Sequence, residues 1–396
     1  MSHPAHAITK LTLENFRNYR ALTLAVSPHP VMLVGHNGAG KTNILEAISL
    51  LAPGRGLRGA KLRMMDRTGI RDWGLEIGEE KSAPWVVAAQ ITTHGETAQI
   101  GTAREEPRHQ APSTRHPPEK RLIKINGEKI RTQTALSKAV CVQWLTPAMD
   151  QVFIEGSTAR RKLLDRMVFG FDPEHASRVA AYELAMRERN RLLADRGAYA
   201  DAAWLTVLER QMAEHAVAMT LARLDTITRV SDAMRAEIAG FPTARLRLDG
   251  FVEAALGEGV SALDAEGLLA ERLAELRAAD ARSGRCSEGA HRSRLEIIHH
   301  TKCVEIEHCS TGEQKAILLS LILAAAQARA RWCGLAPILL LDEVIAHLDV
   351  DKRRRLFDLI AQTGIQAWMT GTDAADFQGL GGNATVLKIS GGMVEA

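Results

Sequence analysis

The stretch 35-GHNGAGKTNILEAISLL-51, entered from the apolar run Val31-Met32-Leu33-Val34, decides how this chain must fold. Gly35, Gly40, Lys41 and Thr42 fall on the spacing G-x-x-x-x-G-K-[ST]. In that pattern, backbone N–H groups made accessible by glycine cradle phosphates, and the lysine reaches the outermost ones. Val31 to Val34 reads as a buried strand. Ile44, Leu45, Ile48 and Leu51 then recur on one face of a helix that begins near Lys41. Gly35, His36, Asn37, Gly38, Ala39, Gly40, Lys41 and Thr42 therefore form a loop between a strand and a helix N-terminus, the place where an anion is best held. The expected ligand is a nucleoside triphosphate with Mg²⁺, a ligand shared by many unrelated functions.

Composition bounds the class. The chain has 396 residues, 46% hydrophobic and 24% charged, enough for two or three domains with a true core. Its formal net charge of +3 is too small to argue nucleic-acid binding unless the basic residues cluster. The 5 cysteines form no C-x-x-C pair, so reduced thiols are expected and neither a disulfide framework nor a zinc site is indicated. No consecutive apolar run approaches the roughly 20 residues of a membrane span, and MSHPAHAITK lacks the order of a secretion signal. A cytoplasmic protein is expected.

A β-rich start is expected from Ile8 to Leu24, with further short strands over 73–100 and 121–131 and a hairpin turn at Asn126-Gly127. Gly101 to Lys120 carries Pro107, Pro112, Pro117 and Pro118 without an apolar run and reads as an exposed loop. From about Ala159 to Ile238 the spacing turns helical, and it returns to helix over Ala265 to Ala279 after a β-like piece at 245–251. Sustained heptads are absent, so this is a compact lobe and not a long coiled coil.

A second block, 309-CSTGEQKAILLSLILAAAQARARWCGLAPILLLDEVIAHLD-349, reads as helix, turn, strand, loop. Ile338 to Leu341 is a buried strand ending in Asp342-Glu343, which sets two carboxylates where open α/β sheets present ligands. Beside a phosphate loop, Asp342 would hold Mg²⁺ with Thr42, and Glu343 would polarise the attacking water. Ser310 and Glu313 form a capping box ahead of an apolar helix, and a helix N-terminus opening with Ser and Gly is also an anion site.

Lys41 and Asp342 must meet one Mg-nucleotide, so the sheet is built from both chain ends and the helical lobe is an insertion. The expected fold is α/β: a β-rich lobe plus an α/β phosphate-loop lobe from residues 1–150 and 285–396, with an inserted helical lobe at 151–284.

Here the chain resembles the RecF family of DNA repair proteins, relatives of the SMC and ABC-type ATPases. The resemblance rests on 13-LENFRNY-19, the phosphate loop, 54-GRGLR-58, Thr146-Pro147, 160-RRKLLD-165, 189-RNRLL-193, 289-GAHR-292, 310-STGEQK-315, Asp342-Glu343-Val344, His347-Leu348-Asp349 and Thr370-Gly371-Thr372. Where an acidic residue is expected after 289-GAHR, Arg294 stands instead.

The resemblance implies that Ser310, Gly312 and Gln314 belong to a signature motif binding the nucleotide on the phosphate loop of a second subunit. It places Gln143 as the Mg-sensing glutamine, Asp349 on a loop facing the partner, and Thr370 to Thr372 on the switch segment. It also implies an ATP-dependent homodimer on double-stranded DNA near single-strand to double-strand junctions. Hydrolysis would be slow and DNA-stimulated, and the protein would assist recombinase loading with RecR, RecO and RecA. Between 54 and 72 the residues themselves offer a basic cluster suited to phosphate contacts: Arg55, Arg58, Lys61, Arg63, Arg67 and Arg71 against Asp66 and Asp72. A transporter motor subunit would share the loop, signature and acids, but needs neither the Phe16-Arg17-Asn18-Tyr19 start nor so large an insertion.

Overall fold

The computed structural model describes residues 6–67, 83–105, 120–130, 133–197, 200–235, 238, 240–345, 348–380 and 384–395. The chain divides into two compact units, one from residues 1–147 with 329–396 and one from 148–328. Arg71, Asp72, the four prolines of the 101–120 loop and His347 lie outside the described residues.

The first unit opens with β1 (His6–Phe16), β2 (Tyr19–Ala25), β3 (Val31–Val34) and α1 (Lys41–Ser49). It continues through β4 (Val86–Thr93), β5 (Glu96–Arg104), β6 (Arg121–Ile125), β7 (Glu128–Ile130), α2 (Gln133–Ala139) and β8 (Val142–Leu145). Alternation in β1 drives an antiparallel sheet in the order β2-β1-β4-β5-β6-β7, with Ile8, Leu11, Leu13 and Phe16 wholly buried. Asn126-Gly127 makes the expected turn between β6 and β7. The 101–120 loop starts later than expected. Gly101 to Arg104 complete β5, because β6 pairs with them out to Arg104 opposite Arg121.

The second unit holds α3 (Ser157–Val168), α4 (His175–Arg196), α5 (Ala202–Arg235), β9 (Ala244–Asp249), α6 (Phe251–Gly257), α7 (Ala262–Glu275), α8 (Arg277–Ser283), β10 (Arg294–His299) and all but the last residues of α9 (Thr311–Cys333). Its core gathers Tyr182 with Met212, Ala216 and Val217 of α5 and Leu269 and Leu273 of α7. Within it, Arg189 is wholly buried and donates to Glu209 (3.0 Å), Asp280 (2.7 Å) and the Leu273 carbonyl (2.7 Å). Cutting one partner from a buried ion network strands the others at a cost of about 3–5 kcal/mol. Arg189→Met is therefore expected to lower unfolding stability by about that amount, read from the urea midpoint at unchanged slope.

The expected boundaries at 150/151 and 284/285 sit elsewhere in space. The first unit gives way at 147/148, and the second runs on to Ala328. The reason is long-range pairing. β10 is antiparallel to β9 over Arg294–Asp249 to His299–Ala244, and Cys286 and Ala290 enter the helical core. By length and composition α9 could cross a membrane, which the count of consecutive apolar residues did not suggest. Its apolar window, however, is 67% buried inside the protein, as in a core helix.

The chain returns to the first unit as β11 (Ile338–Leu341), α10 (Val350–Thr363), β12 (Ala367–Gly371), β13 (Thr385–Ser390) and β14 (Met393–Glu395). These join β3 and β8 in a sheet ordered β14-β13-β3-β12-β11-β8, parallel except for β14. Gln366 ties this sheet to β1, donating to the Ile8 carbonyl (2.9 Å) and accepting from the Ile8 N–H (2.8 Å). β12 thus lies between the strand that feeds the phosphate loop and the strand that ends in the acidic pair.

Candidate functional site: a phosphate loop facing an acidic strand end

The loop closes tightly at both ends. Gly40 caps α1 with φ 110°, and a Cβ there would collide with Asn18 and the Tyr19 hydroxyl, while one on Gly35 would strike the Ile389 carbonyl. Ala39, Gly40 and Lys41 are buried, whereas His36, Asn37 and Gly38 form the exposed tip. The Lys41 ammonium donates to the carbonyls of Gly35 (2.5 Å) and His36 (2.8 Å), curling back over the loop. Burial lowers its pKa, while the charges of Glu343 and Asp342 pull the other way.

Thr42 Oγ1 donates to Asp342 Oδ1 at 2.9 Å, joining residues 300 positions apart. Thr370 Oγ1, at the end of β12, donates to the same oxygen at 2.9 Å and accepts the Glu343 N–H at 2.8 Å. Burial raises the Asp342 pKa, and the two hydroxyls oppose that shift. Glu343 follows with φ 53°, a left-handed backbone conformation where the chain bends directly after the strand. Thr370, assigned only to a switch segment by resemblance, is the pin between the two acids. Its position follows from strand order, which no local sequence pattern carries.

Mg²⁺ takes hard oxygen ligands, commonly one or two carboxylates with phosphate oxygens and water. Thr42 and Asp342 supply such a pair, and among the described residues no group of three or more His, Cys, Asp or Glu suits a metal by itself. The residues therefore fit an ion that arrives with its nucleotide. Gln143 is not brought to this point. Pairing sets it level with Leu339, three residues short of Asp342. At a rise of about 3.3 Å per residue, that is roughly 10 Å along the strand. Its side-chain amide is buried without a hydrogen-bond partner.

The Phe16-Arg17-Asn18-Tyr19 segment, whose role the sequence left unassigned, braces the loop. Tyr19 OH donates to the Gly40 carbonyl (3.1 Å), and Asn43 Nδ2 donates to Asn18 Oδ1 (2.7 Å). Arg17 forks onto both oxygens of Glu46 (2.9 and 2.7 Å), a carboxylate wholly buried in α1. A glutamate on the buried face of a helix was the available signal that a cation must reach it.

Arg58 also reaches Glu46 Oε2 (3.0 Å) and donates to Asn43 Oδ1 (2.9 Å). The expected DNA contacts Arg55, Arg58, Lys61 and Arg63 are all exposed, and Arg58 is at the same time engaged with α1.

In the second unit, Ser310, Thr311 and Gly312 lie exposed at the N-terminus of the 23-residue α9. Glu313 Oε2 accepts from the Ser310 N–H (3.0 Å) and hydroxyl (2.9 Å), completing the capping box. Gln314 is buried and donates to the carbonyls of Ile306 (3.0 Å) and Cys309 (3.1 Å), so it fixes the turn before the helix. Asp349 is exposed and caps α10, accepting from the Lys352 N–H at 2.8 Å.

Comparison with known proteins agrees with this fold. The family of RecF/RecN/SMC N-terminal domains matches residues 7–388. The DNA replication and repair protein RecF of Rhizobium johnstonii is 42% identical over 391 residues, 98% of each chain. That of Rhizobium rhizogenes is 43% identical over 388 residues, 97% of each. Among solved structures, the recombination mediator protein RecF-ATPrS of the RecFOR pathway superposes with a TM-score of 0.82 at 21% identity, covering 100% of this chain and 99% of that one. The corresponding RecF-ATP structure gives 0.78 at 21% identity, covering 98% and 99%.

Proposed function

The chain belongs to the RecF family, and on that premise we propose that it is a cytoplasmic, ATP-dependent DNA-binding protein of replication and repair. ATP closes two copies on double-stranded DNA near gaps or junctions, and slow, DNA-stimulated hydrolysis releases them. RecR, with RecO and the recombinase RecA downstream, is the expected set of partners. The observation that carries this reading is the meeting of Thr42 and Thr370 on Asp342, beside the Lys41 loop, in a sheet drawn from both ends of the chain. The relatives matched over nearly their whole length are named for DNA replication and repair, which favours this reading over a transporter motor subunit.

In this account the loop N–H groups and Lys41 hold the outer phosphates, and Thr42 with Asp342 hold Mg²⁺. Bound there, the ion offsets negative charge on the phosphate oxygens. Glu343 accepts a proton from the attacking water, its backbone held by Thr370. The exposed Ser310 helix end receives the γ-phosphate bound by the other subunit, so each nucleotide is shared. DNA phosphates meet the exposed basic segment of Arg55, Arg58, Lys61 and Arg63, doubled in the closed dimer.

Ser310→Arg tests the link between nucleotide and DNA. The long side chain blocks the helix end, while each phosphate loop stays open to ATP. Fluorescence anisotropy on a short duplex across a salt series should give wild type with ATP the steeper fall of log affinity with log salt, by about 0.9 per additional phosphate neutralised. Equal slopes, with dimerisation lost in the variant, would mean that one subunit binds DNA unaided.

A further inference from the structure

The Ser310 N–H and hydroxyl, the donors that a phosphate would take at the α9 helix end, are both already given to one carboxylate oxygen, Glu313 Oε2. The other oxygen, Oε1, is gripped by the Lys302 ammonium at 2.5 Å, from the turn that follows β10. A carboxylate on two N-terminal donors of a helix is a small mimic of the bound phosphate.

We propose that Glu313 is a built-in stand-in for the partner's γ-phosphate, and that Lys302 is a positioning residue that neutralises Glu313 and draws it aside when the phosphate arrives. The inference rests on the shared-nucleotide reading of Ser310.

Glu313 must yield its two donors at closure, and it must do so as an anion. In the open subunit hydrogen bonds from Lys302 and then Ser310 hold its pKa down to about 2, so near neutral pH it is ionised there. An ionised carboxylate left beside a triphosphate would repel it, and water screens this poorly once two subunits have closed over the site. The charge must be met by a cation able to follow it. Lys302 is such a group, with a side chain 54% exposed on a flexible stem. In an open subunit the pair also keeps the signature from capturing stray anions, so closure requires the nucleotide of a second copy. Glutamine at this position can cap as glutamate does, so Glu313→Gln keeps the start of the helix.

The test uses the full-length protein with a non-hydrolysable ATP analogue at saturation, reading the dimer dissociation constant by sedimentation velocity. Lys302→Gln should weaken dimerisation by on the order of a hundredfold, roughly tenfold at each of two sites, because an unmatched Glu313 faces each phosphate. Glu313→Gln should dimerise at least as tightly as wild type. The double variant Lys302→Gln/Glu313→Gln should recover to within about threefold of Glu313→Gln, since lysine has nothing left to neutralise.

Lys302→Gln dimerising as wild type does, or a double variant no better than Lys302→Gln, would overturn the proposal. Ser310→Arg run alongside separates the two levels of failure. If that variant still dimerises, the shared-site reading falls and this inference with it. If it does not, while Lys302→Gln does, only the role of Lys302 is lost.

Discussion

Lys41→Ala abolishes ATP binding in a protein that still folds. The ammonium stands over the loop between the Gly35 and His36 carbonyls and is the one cation of the phosphate-loop motif. A hydrogen bond to a charged group is worth about 1.5–3 kcal/mol, so losing contacts to two phosphates removes about 3–6 kcal/mol, more than a hundredfold in affinity. Asn18 and Tyr19 also hold the loop, through the Ala39 and Gly40 carbonyls, and those bonds do not need the ammonium. Calorimetric titration with ATP should show no heat of binding, while the melting temperature without nucleotide stays within a few degrees of wild type. Unchanged affinity in a folded variant would remove Lys41 from the site.

Glu343→Gln stops turnover and leaves ATP bound. The amide keeps the side chain's shape but cannot accept the proton of the attacking water, and losing a general base costs about 10²–10⁴ in rate. Asp342, the residue beside Thr42, is untouched, so affinity for Mg-ATP should hold. Single-turnover hydrolysis should fall by that factor while equilibrium binding does not change. A variant that hydrolyses ATP at the wild-type rate would show that the base lies elsewhere.

Features carried by local spacing were legible in the sequence. The glycine pattern from Gly35 to Thr42, the apolar run before Asp342 and the Ser310–Glu313 box each declare themselves within a few residues. Their meeting was inferable only because one Mg-nucleotide needs both chain ends. What depended on strand order and register was not legible. Thr370 reaches Asp342 because β12 lies between β3 and β11, and Gln143 stands level with Leu339 because of how β8 pairs.

The same holds for the edges of the helical unit. Residues 285–328 belong with it through β10 pairing to β9, a contact between segments far apart in sequence. Arg58 illustrates a different limit. Within a run of basic residues nothing local shows which guanidinium, here that of Arg58, reaches a buried glutamate.

The central claim is that each nucleotide is completed by a second copy of the chain through Ser310. Sedimentation velocity with saturating Mg-ATP, on Glu343→Gln and on Glu343→Gln/Ser310→Arg, tests it most directly. The account predicts a dimer for the first and a monomer carrying one ATP per chain for the second. A double variant that still sediments as a dimer, or a Glu343→Gln protein that stays monomeric with ATP bound, would contradict it.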